Sequence, residues 1–112
     1  MAAILVVDDE EVVRFVVRDM LEPEGYTVLD TEDPQDALRL AREQTVHLLL
    51  TDVVMPGMSG KELAERLGIE PVFMSGYTDD VISRHGMDGV RLVQKPFDAQ
   101  TLLGAIRSAL DA

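Results

Sequence analysis

The chain alternates between short unbroken apolar runs and longer segments in which apolar residues recur every three or four positions. Unbroken apolar runs are typical of strands in a parallel sheet that is covered on both faces. Such runs span Ala3 to Val7, Tyr26 to Leu29, Val46 to Leu50, Val72 to Met74 and Val90 to Val93. The pattern therefore predicts five strands, of which the second has the weakest signal.

Helical spacing fills the segments between these runs, because apolar residues there follow one stripe with a period of about 3.6 residues. The stripes comprise Val12, Val13, Val16, Val17, Met20 and Leu21, then Ala37, Leu38 and Ala41, then Leu63, Ala64 and Leu67, and finally Leu102, Leu103, Ile106, Ala109 and Leu110. Asp79 to His85 give a weaker signal for a fourth helix before the last one. Pro23 and Gly25 predict the end of the first helix, and Pro34 suits the first turn of the second.

The order of these elements is strand then helix, repeated five times with short connections. Right-handed crossovers turn this order into an α/β doubly wound sandwich. We predict a flavodoxin-like (βα)5 fold with a parallel five-stranded sheet of order 2-1-3-4-5, formed by a single domain over residues 1–112. In such a sheet the functional site lies at the carboxyl ends of the first and third strands.

Composition narrows the possible partners and chemistry. Hydrophobic residues make up 46% of the chain and aromatic ones only 4%, so the core is aliphatic. Without cysteine, the chain has no disulfide framework and no thiolate metal site. A formal charge of −11 repels nucleic acids, and no apolar run approaches the roughly 20 residues needed to span a membrane. We expect neither nucleic acid nor membrane as a partner.

Polar residues with useful chemistry follow four of the predicted strands. Asp8 and Asp9 follow the first, Asp52 the third, Ser75 the fourth and Lys95 the fifth. Because parallel strands end at one edge of the sheet, we expect these five side chains to converge there.

Three carboxylates at one edge repel one another unless a cation lies between them. Oxygen ligands without histidine or cysteine favour a hard ion, and Mg²⁺ suits one or two carboxylates together with phosphate oxygens better than Ca²⁺ or Mn²⁺ does. A lysine ammonium and a serine hydroxyl across the edge are donors for phosphoryl oxygens. One carboxylate can then act as the nucleophile.

Each residue also has a simpler interpretation when it is taken alone. Asp8 or Asp9 could cap the first helix, and Asp52 or Ser75 could begin a turn. A single lysine such as Lys95 is usually solvated. The five residues together are harder to explain in this way.

Four motifs resemble the receiver domains of two-component response regulators, over about Ile4 to Leu110. They are Val6-Val7-Asp8-Asp9-Glu10, Thr51-Asp52-Val53-Val54-Met55-Pro56-Gly57-Met58-Ser59-Gly60, Met74-Ser75-Gly76-Tyr77 and Lys95-Pro96-Phe97. The segments around Ser75 and Lys95 are similar to receivers of hybrid histidine kinases. A receiver from such a larger protein and a free-standing single-domain regulator without an effector domain are both open, and we favour the second.

This resemblance implies a role for each residue. Asp52 is implied to be the phosphoacceptor, and the Mg²⁺ ligands are implied to be Asp8, Asp9, Asp52 and the backbone carbonyl of Val54. Lys95 is implied to pair with the phosphoryl oxygens and Ser75 to be the switch hydroxyl.

The resemblance also implies partners and behaviour. The phosphoryl donor is implied to be a phosphohistidine on a histidine kinase or histidine phosphotransfer protein, and the signal to pass to a downstream protein through the surface around the fourth and fifth helices. The domain is implied to be a cytoplasmic switch, a monomer or weak dimer that assists its own phosphotransfer and dephosphorylation without being an enzyme in the usual sense. A cis peptide is implied before Pro96. Leu92 departs from the family, which usually has an aromatic residue there.

Two other functions share part of this pattern. A hydrolase of the haloacid dehalogenase type also forms an aspartyl phosphate, but it requires an Asp-x-Asp-x-Thr arrangement that residues 8–12 do not supply. A pseudo-receiver keeps the fold without being phosphorylated, and the presence of all five site residues argues against it.

Overall fold

The computed structural model describes residues 2–76 and 90–111, which contain one parallel five-stranded sheet. Its strands are β1 (Ala3–Val7), β2 (Thr27–Thr31), β3 (Leu48–Asp52), β4 (Pro71–Ser75) and β5 (Leu92–Gln94). They lie in the order β2-β1-β3-β4-β5, and every neighbouring pair is parallel. The predicted flavodoxin-like topology is therefore confirmed.

Four helices are present in the described part of the chain. They are α1 (Glu11–Leu21), α2 (Pro34–Glu43), α3 (Gly60–Leu67) and a C-terminal helix (Ala99–Leu110). Pro34 opens α2 as predicted, and α1 passes into a short 3-10 turn that ends at Gly25, whose φ is 94°. The predicted helix over Asp79 to His85 lies outside the described residues. Within residues 2–76 and 90–111, no helix is long and apolar enough to cross a membrane.

The core lies on both faces of the sheet, which explains why the strands are unbroken apolar runs. Ile4 and Val6 of β1 pack into a cluster with apolar residues of α1 and the C-terminal helix. Leu5 and Val7 pack into a second cluster with residues of α2 and α3. All four side chains are fully buried. Since helices cover both faces, the open edge at the strand carboxyl ends is left for polar side chains.

The end of β3 differs from the prediction. The apolar pattern predicts a strand over Val46 to Leu50, whereas β3 spans Leu48–Asp52, two residues further along the chain. Thr51 and Asp52 continue the pairing with Phe73 and Met74 of β4 although their side chains are polar. The sheet therefore carries Asp52 as its last residue in β3 and buries it at the edge.

Candidate functional site

Asp8 and Asp52 leave adjacent strands at the same edge of the sheet. Val7 is paired with Thr51, and each aspartate is the next residue along its strand direction. Asp8 is fully buried and Asp52 is only 7% exposed. Two carboxylates in such a position need a compensating cation, because burial and mutual repulsion both disfavour their charged forms.

Lys95 supplies that cation from the end of β5. Its Nζ lies 2.8 Å from Asp8 Oδ2, 3.3 Å from Asp52 Oδ2 and 3.6 Å from Glu10 Oε1. Only 16% of its side chain is exposed, so the interpretation of Lys95 as a solvated surface lysine is wrong. The structure thus brings together residues that are 43 and 87 positions apart in the sequence.

The balance of charge at this edge is visible in two pKa shifts. Burial raises the pKa of Asp52, nearby Lys95 opposes the rise, and the negative charge of Asp8 adds to it. Burial lowers the pKa of Lys95. The negative charges of Asp8 and Asp52, and the hydrogen bonds that Lys95 donates to them, outweigh this effect, so the pKa of Lys95 is raised. Lys95 therefore stays charged, and a further cation beside Asp52 would favour its ionised, nucleophilic form.

Asp8, Asp9 and Glu10 form an acidic turn between β1 and α1. One carboxylate oxygen from each residue lies within 4.8 Å of the others. Such a set of oxygen donors fits a hard divalent ion such as Mg²⁺. Glu10 was not among the predicted site residues, although a third consecutive acidic residue in the motif was the available signal.

The helix-capping interpretation of Asp8 and Asp9 is wrong. The residue at the N-cap of α1 is Glu10, and its side chain makes no capping hydrogen bond. Asp8 Oδ1 instead accepts a hydrogen bond of 2.8 Å from the backbone N–H of Glu10, which closes the acidic turn. The three other described helices are capped by side chains of residues outside the site, namely Asp33, Ser59 and Asp98.

A cavity of about 300 Å³ opens between these side chains. Its walls are Asp9, Glu10, Asp52, Val54, Gly76 and Lys95. Liquid water takes about 30 Å³ per molecule, so the cavity is large enough for a tetrahedral phosphoryl group and several waters.

Ser75 reaches the same edge from β4, of which it is the last residue. Its side chain is fully buried, and its backbone carbonyl accepts a hydrogen bond of 2.7 Å from the N–H of Lys95. The next residue, Gly76, lines the cavity. All five residues predicted to converge therefore lie at the carboxyl edge of the sheet, while Tyr77 of the same motif lies outside the described residues.

The family model for the response regulator receiver domain matches residues 4–107 of the chain. The chain belongs to this receiver family. The cis peptide between Lys95 and Pro96, implied by the resemblance, is also present in the receiver described here.

Relatives of this receiver differ in their length relative to this chain. PilH of Pseudomonas aeruginosa is 34% identical over 121 residues, with 98% of each chain covered. The transcriptional regulatory protein YkoG of Bacillus subtilis is 38% identical over 96% of this chain, and the chain spans 50% of that relative's length. The crystal structure of the chemotaxis protein CheY4 of Vibrio cholerae has a TM-score of 0.87 at 27% identity, covering 98% of this chain and 99% of that one.

Leu92 lies where the resemblance implies an aromatic residue. It is the first residue of β5, and its half-buried side chain packs against the apolar cluster on the α2 and α3 face. An aliphatic side chain at this position therefore adds to the core.

Proposed function

We propose that this receiver is a switch of two-component signalling that takes a phosphoryl group on Asp52. The donor is a phosphohistidine on a histidine kinase or histidine phosphotransfer protein. The observation that carries this proposal is the ammonium of Lys95, held between the carboxylates of Asp8 and Asp52 at the mouth of the cavity.

The proposed transfer forms one bond and breaks one bond. A carboxylate oxygen of Asp52 attacks phosphorus, while the bond between phosphorus and the donor imidazole nitrogen breaks and the nitrogen keeps its electron pair. Lys95 Nζ, 3.3 Å from Asp52, is placed to donate to the phosphoryl oxygens. The hydroxyl of Ser75 and the backbone N–H groups of Val54 and Gly76 are the further donors that we assign.

Asp8, Asp9, Asp52 and the carbonyl of Val54 would hold Mg²⁺, with Asp8 acting largely through water. When bound, Mg²⁺ neutralises charge on the carboxylates and the phosphoryl oxygens. The acidic turn adds the carboxylate of Glu10, which would join the same donor set, because one of its oxygens lies within 4.8 Å of carboxylate oxygens of Asp8 and Asp9.

Receiver domains are switches and not enzymes in the usual sense. We propose that the phosphoryl group draws the hydroxyl of Ser75 toward Asp52 and changes the surface around the predicted fourth helix and the C-terminal helix, which is the fifth in the predicted order. A downstream protein recognises this surface. Loss of the signal is hydrolysis, in which water attacks phosphorus and releases inorganic phosphate from the Asp52 oxygen. Such a switch requires the phosphoryl group to favour one arrangement over the other.

The test is intact-mass analysis after incubation with acetyl phosphate, with and without Mg²⁺. We expect a single phosphoryl adduct that is labile to hydroxylamine, requires Mg²⁺ and is abolished in Asp52→Asn. An unrelated receiver that is known to label serves as the positive control. Absence of the adduct under conditions in which the control labels would contradict the proposal and favour the pseudo-receiver.

An exposed apolar face lies beside the site and suits the proposed donor. On α1, Val12 is 73% exposed, Phe15 66% and Val16 39%. A groove of about 400 Å³ connects this face to the site, and it is lined by Glu10, Val13, Val16, Lys95, Pro96 and Phe97. Because Glu10 and Lys95 also line the acidic cavity, a donor helix packed along α1 would place its histidine opposite Asp52.

Phe15→Ser is expected to slow phosphotransfer from an autophosphorylated histidine kinase about tenfold, because exposed aromatic side chains are frequent anchors of interfaces. Labelling by acetyl phosphate should be unchanged, since this donor needs no protein contact. The measurement is initial phosphotransfer from a panel of kinases. Val90→Ser removes another exposed apolar side chain, at the opposite end of β5, and should leave both rates unchanged. If Phe15→Ser slowed labelling by acetyl phosphate as much as phosphotransfer from the kinase, Phe15 would affect the phosphorylation step itself and not the docking of the kinase.

A further inference from the structure

We propose that Arg14 is a positioning residue for the acidic turn and thereby sets the affinity of the receiver for Mg²⁺. The proposal rests on the proposed function, since it presumes that Asp8 and Asp9 bind the ion. Arg14 lies on α1, outside the cavity, and was not predicted as part of the site.

The guanidinium of Arg14 joins two structural elements. Its Nη1 donates a hydrogen bond of 2.7 Å to the backbone carbonyl of Asp8, and its Nε donates one of 3.1 Å to Asp30 Oδ2 on β2. Only 13% of the Arg14 side chain is exposed, so both contacts are largely shielded from water. The guanidinium therefore fixes the position of the Asp8 carbonyl relative to the sheet.

Asp30 is itself held in place by a second arginine. Arg18 Nη2 donates to Asp30 Oδ1 at 2.5 Å, and Arg18 Nη1 pairs with Glu22 at 2.8 Å. Asp30 thus uses one oxygen for each arginine. This arrangement limits the positions that the Arg14 side chain can adopt. The acidic turn is therefore held in a fixed position relative to β2.

The Asp8 peptide is anchored to β2 on both sides. Its N–H donates to the carbonyl of Thr31 at 3.2 Å, and its own carbonyl accepts from Arg14. Asp9, by contrast, is exposed and makes no hydrogen bond or ion pair with any residue in 2–76 or 90–111. The location of the Asp9 carboxylate is therefore set by the backbone of the acidic turn, which Arg14 holds.

A lysine at position 14 would keep the positive charge but could not reproduce the hydrogen-bond geometry of Arg14. A guanidinium presents several donors in a rigid fork, whereas an ammonium is a point charge on a flexible stem. Arg14→Lys therefore separates positioning from charge. Groups that hold metal ligands in position without touching the metal typically contribute about 10- to 100-fold to metal affinity.

The experiment is calorimetric titration of the full chain with Mg²⁺, together with thermal unfolding in EDTA. We expect Arg14→Lys to raise the Kd for Mg²⁺ about tenfold, at the lower end of that range because the contact is to a backbone carbonyl. The Mg²⁺ concentration that gives half-maximal labelling by acetyl phosphate should rise equally, while the rate at saturating Mg²⁺ stays within about twofold of the unaltered chain.

Arg39→Lys is the matched control. Arg39 also pairs with two acidic side chains, Asp36 and Glu43, but all three lie on α2 and are solvent-exposed or nearly so. This substitution should leave the Kd for Mg²⁺ unchanged. Asp30→Asn removes the support of Arg14 from β2 and should also weaken Mg²⁺ binding, with Asp36→Asn as its control.

The outcomes separate this inference from the proposed function. If the unaltered chain binds Mg²⁺ and Arg14→Lys binds it equally well, Arg14 only attaches α1 to β2 and the inference is overturned while the function stands. A lower unfolding temperature in EDTA with an unchanged Kd leads to the same conclusion. If the unaltered chain does not bind Mg²⁺, both the metal site and the inference fall.

Discussion

Gly60→Ala is expected to lower the free energy of unfolding by about 3 kcal/mol, at the upper end of the range for overpacking a folded core. Gly60 is the buried first residue of α3, directly beside the end of β3. A Cβ atom added there would lie 2.1 Å from the backbone carbonyl oxygen of Asp52 and 3.0 Å from Thr51 Cγ2. Because the closest atom belongs to the backbone, no side-chain rotation relieves the clash.

The clash is also expected to affect labelling. Gly60 donates its N–H to the carbonyl of Val53 at 2.9 Å, so α3 and the segment after Asp52 are joined at this point. Any shift that accommodates the new methyl group moves the Asp52 backbone and hence its carboxylate. Slower labelling by acetyl phosphate at a temperature where the variant is still folded would report this shift.

Gly104→Ala is the matched control for the same substitution. Gly104 is exposed in the C-terminal helix, and a Cβ there meets no atom of residues 2–76 or 90–111 within 4 Å. Alanine should therefore stabilise the helix by about 1 kcal/mol. Urea unfolding of both variants gives the comparison, and stabilisation by both would show that the close approach of Gly60 to Asp52 is absent in solution.

The strands and their order could be predicted because burial on both faces leaves a strong signal. Every residue of β1 is buried and apolar, so the run from Ala3 to Val7 was predicted with its exact bounds. The end of β3 could not be predicted in the same way. Thr51 and Asp52 are polar, and backbone pairing keeps them in the sheet, with β4 for both residues and also with Val7 of β1 for Thr51.

Site residues at the end of a strand could be predicted from the sequence. Residues whose long side chains reach the site from a helix could not be predicted as easily. The positions of Asp8, Asp52 and Lys95 could be predicted because each lies at the carboxyl end of a strand, and parallel strands end at the same edge of the sheet. Arg14 lies at the end of the first turn of α1, and an arginine on a helix normally indicates a solvated face. Its contact with the Asp8 carbonyl depends on the side-chain conformation of Arg14 and on the hydrogen bond to Asp30. The spacing of apolar residues carries no information about either.

Lys95→Met is expected to slow labelling by acetyl phosphate about 100-fold, the usual effect of removing one donor from developing charge. The same substitution should weaken the folded state in EDTA, because Asp8 and Asp52 lose the cation between them. We expect a loss of about 2 kcal/mol, less than for a fully buried pair, since the cavity is open to water.

The loss of stability should depend on pH in a defined direction. Burial already raises the pKa of Asp52, and Lys95 opposes this rise, so removing Lys95 raises the pKa further. A carboxyl whose pKa is higher in the folded state stabilises that state at low pH and loses this contribution as pH rises through the folded pKa. The deficit of Lys95→Met should therefore be largest at neutral pH and shrink as the pH is lowered.

Binding of Mg²⁺ should change in the opposite direction to labelling. Two charges about 4 Å apart interact by about 1 kcal/mol even at the dielectric constant of water, and a divalent ion doubles this repulsion from the ammonium. Without Lys95, Mg²⁺ is expected to bind about tenfold more tightly and to restore much of the lost stability. Weaker or unchanged binding in calorimetric titration would contradict the placement of Lys95 against the carboxylates that we propose as Mg²⁺ ligands.

Lys61→Met provides the control, because Lys61 is the other lysine of the chain and is exposed on α3. It removes the same charge from a protein with a net charge of −11, so any general effect of added negative charge on Mg²⁺ binding appears in both variants. An increase in affinity confined to Lys95→Met shows that the ammonium acts locally. Tighter metal binding combined with slower labelling then assigns Lys95 to the phosphoryl group, since a residue that only supported the metal would alter both in the same direction.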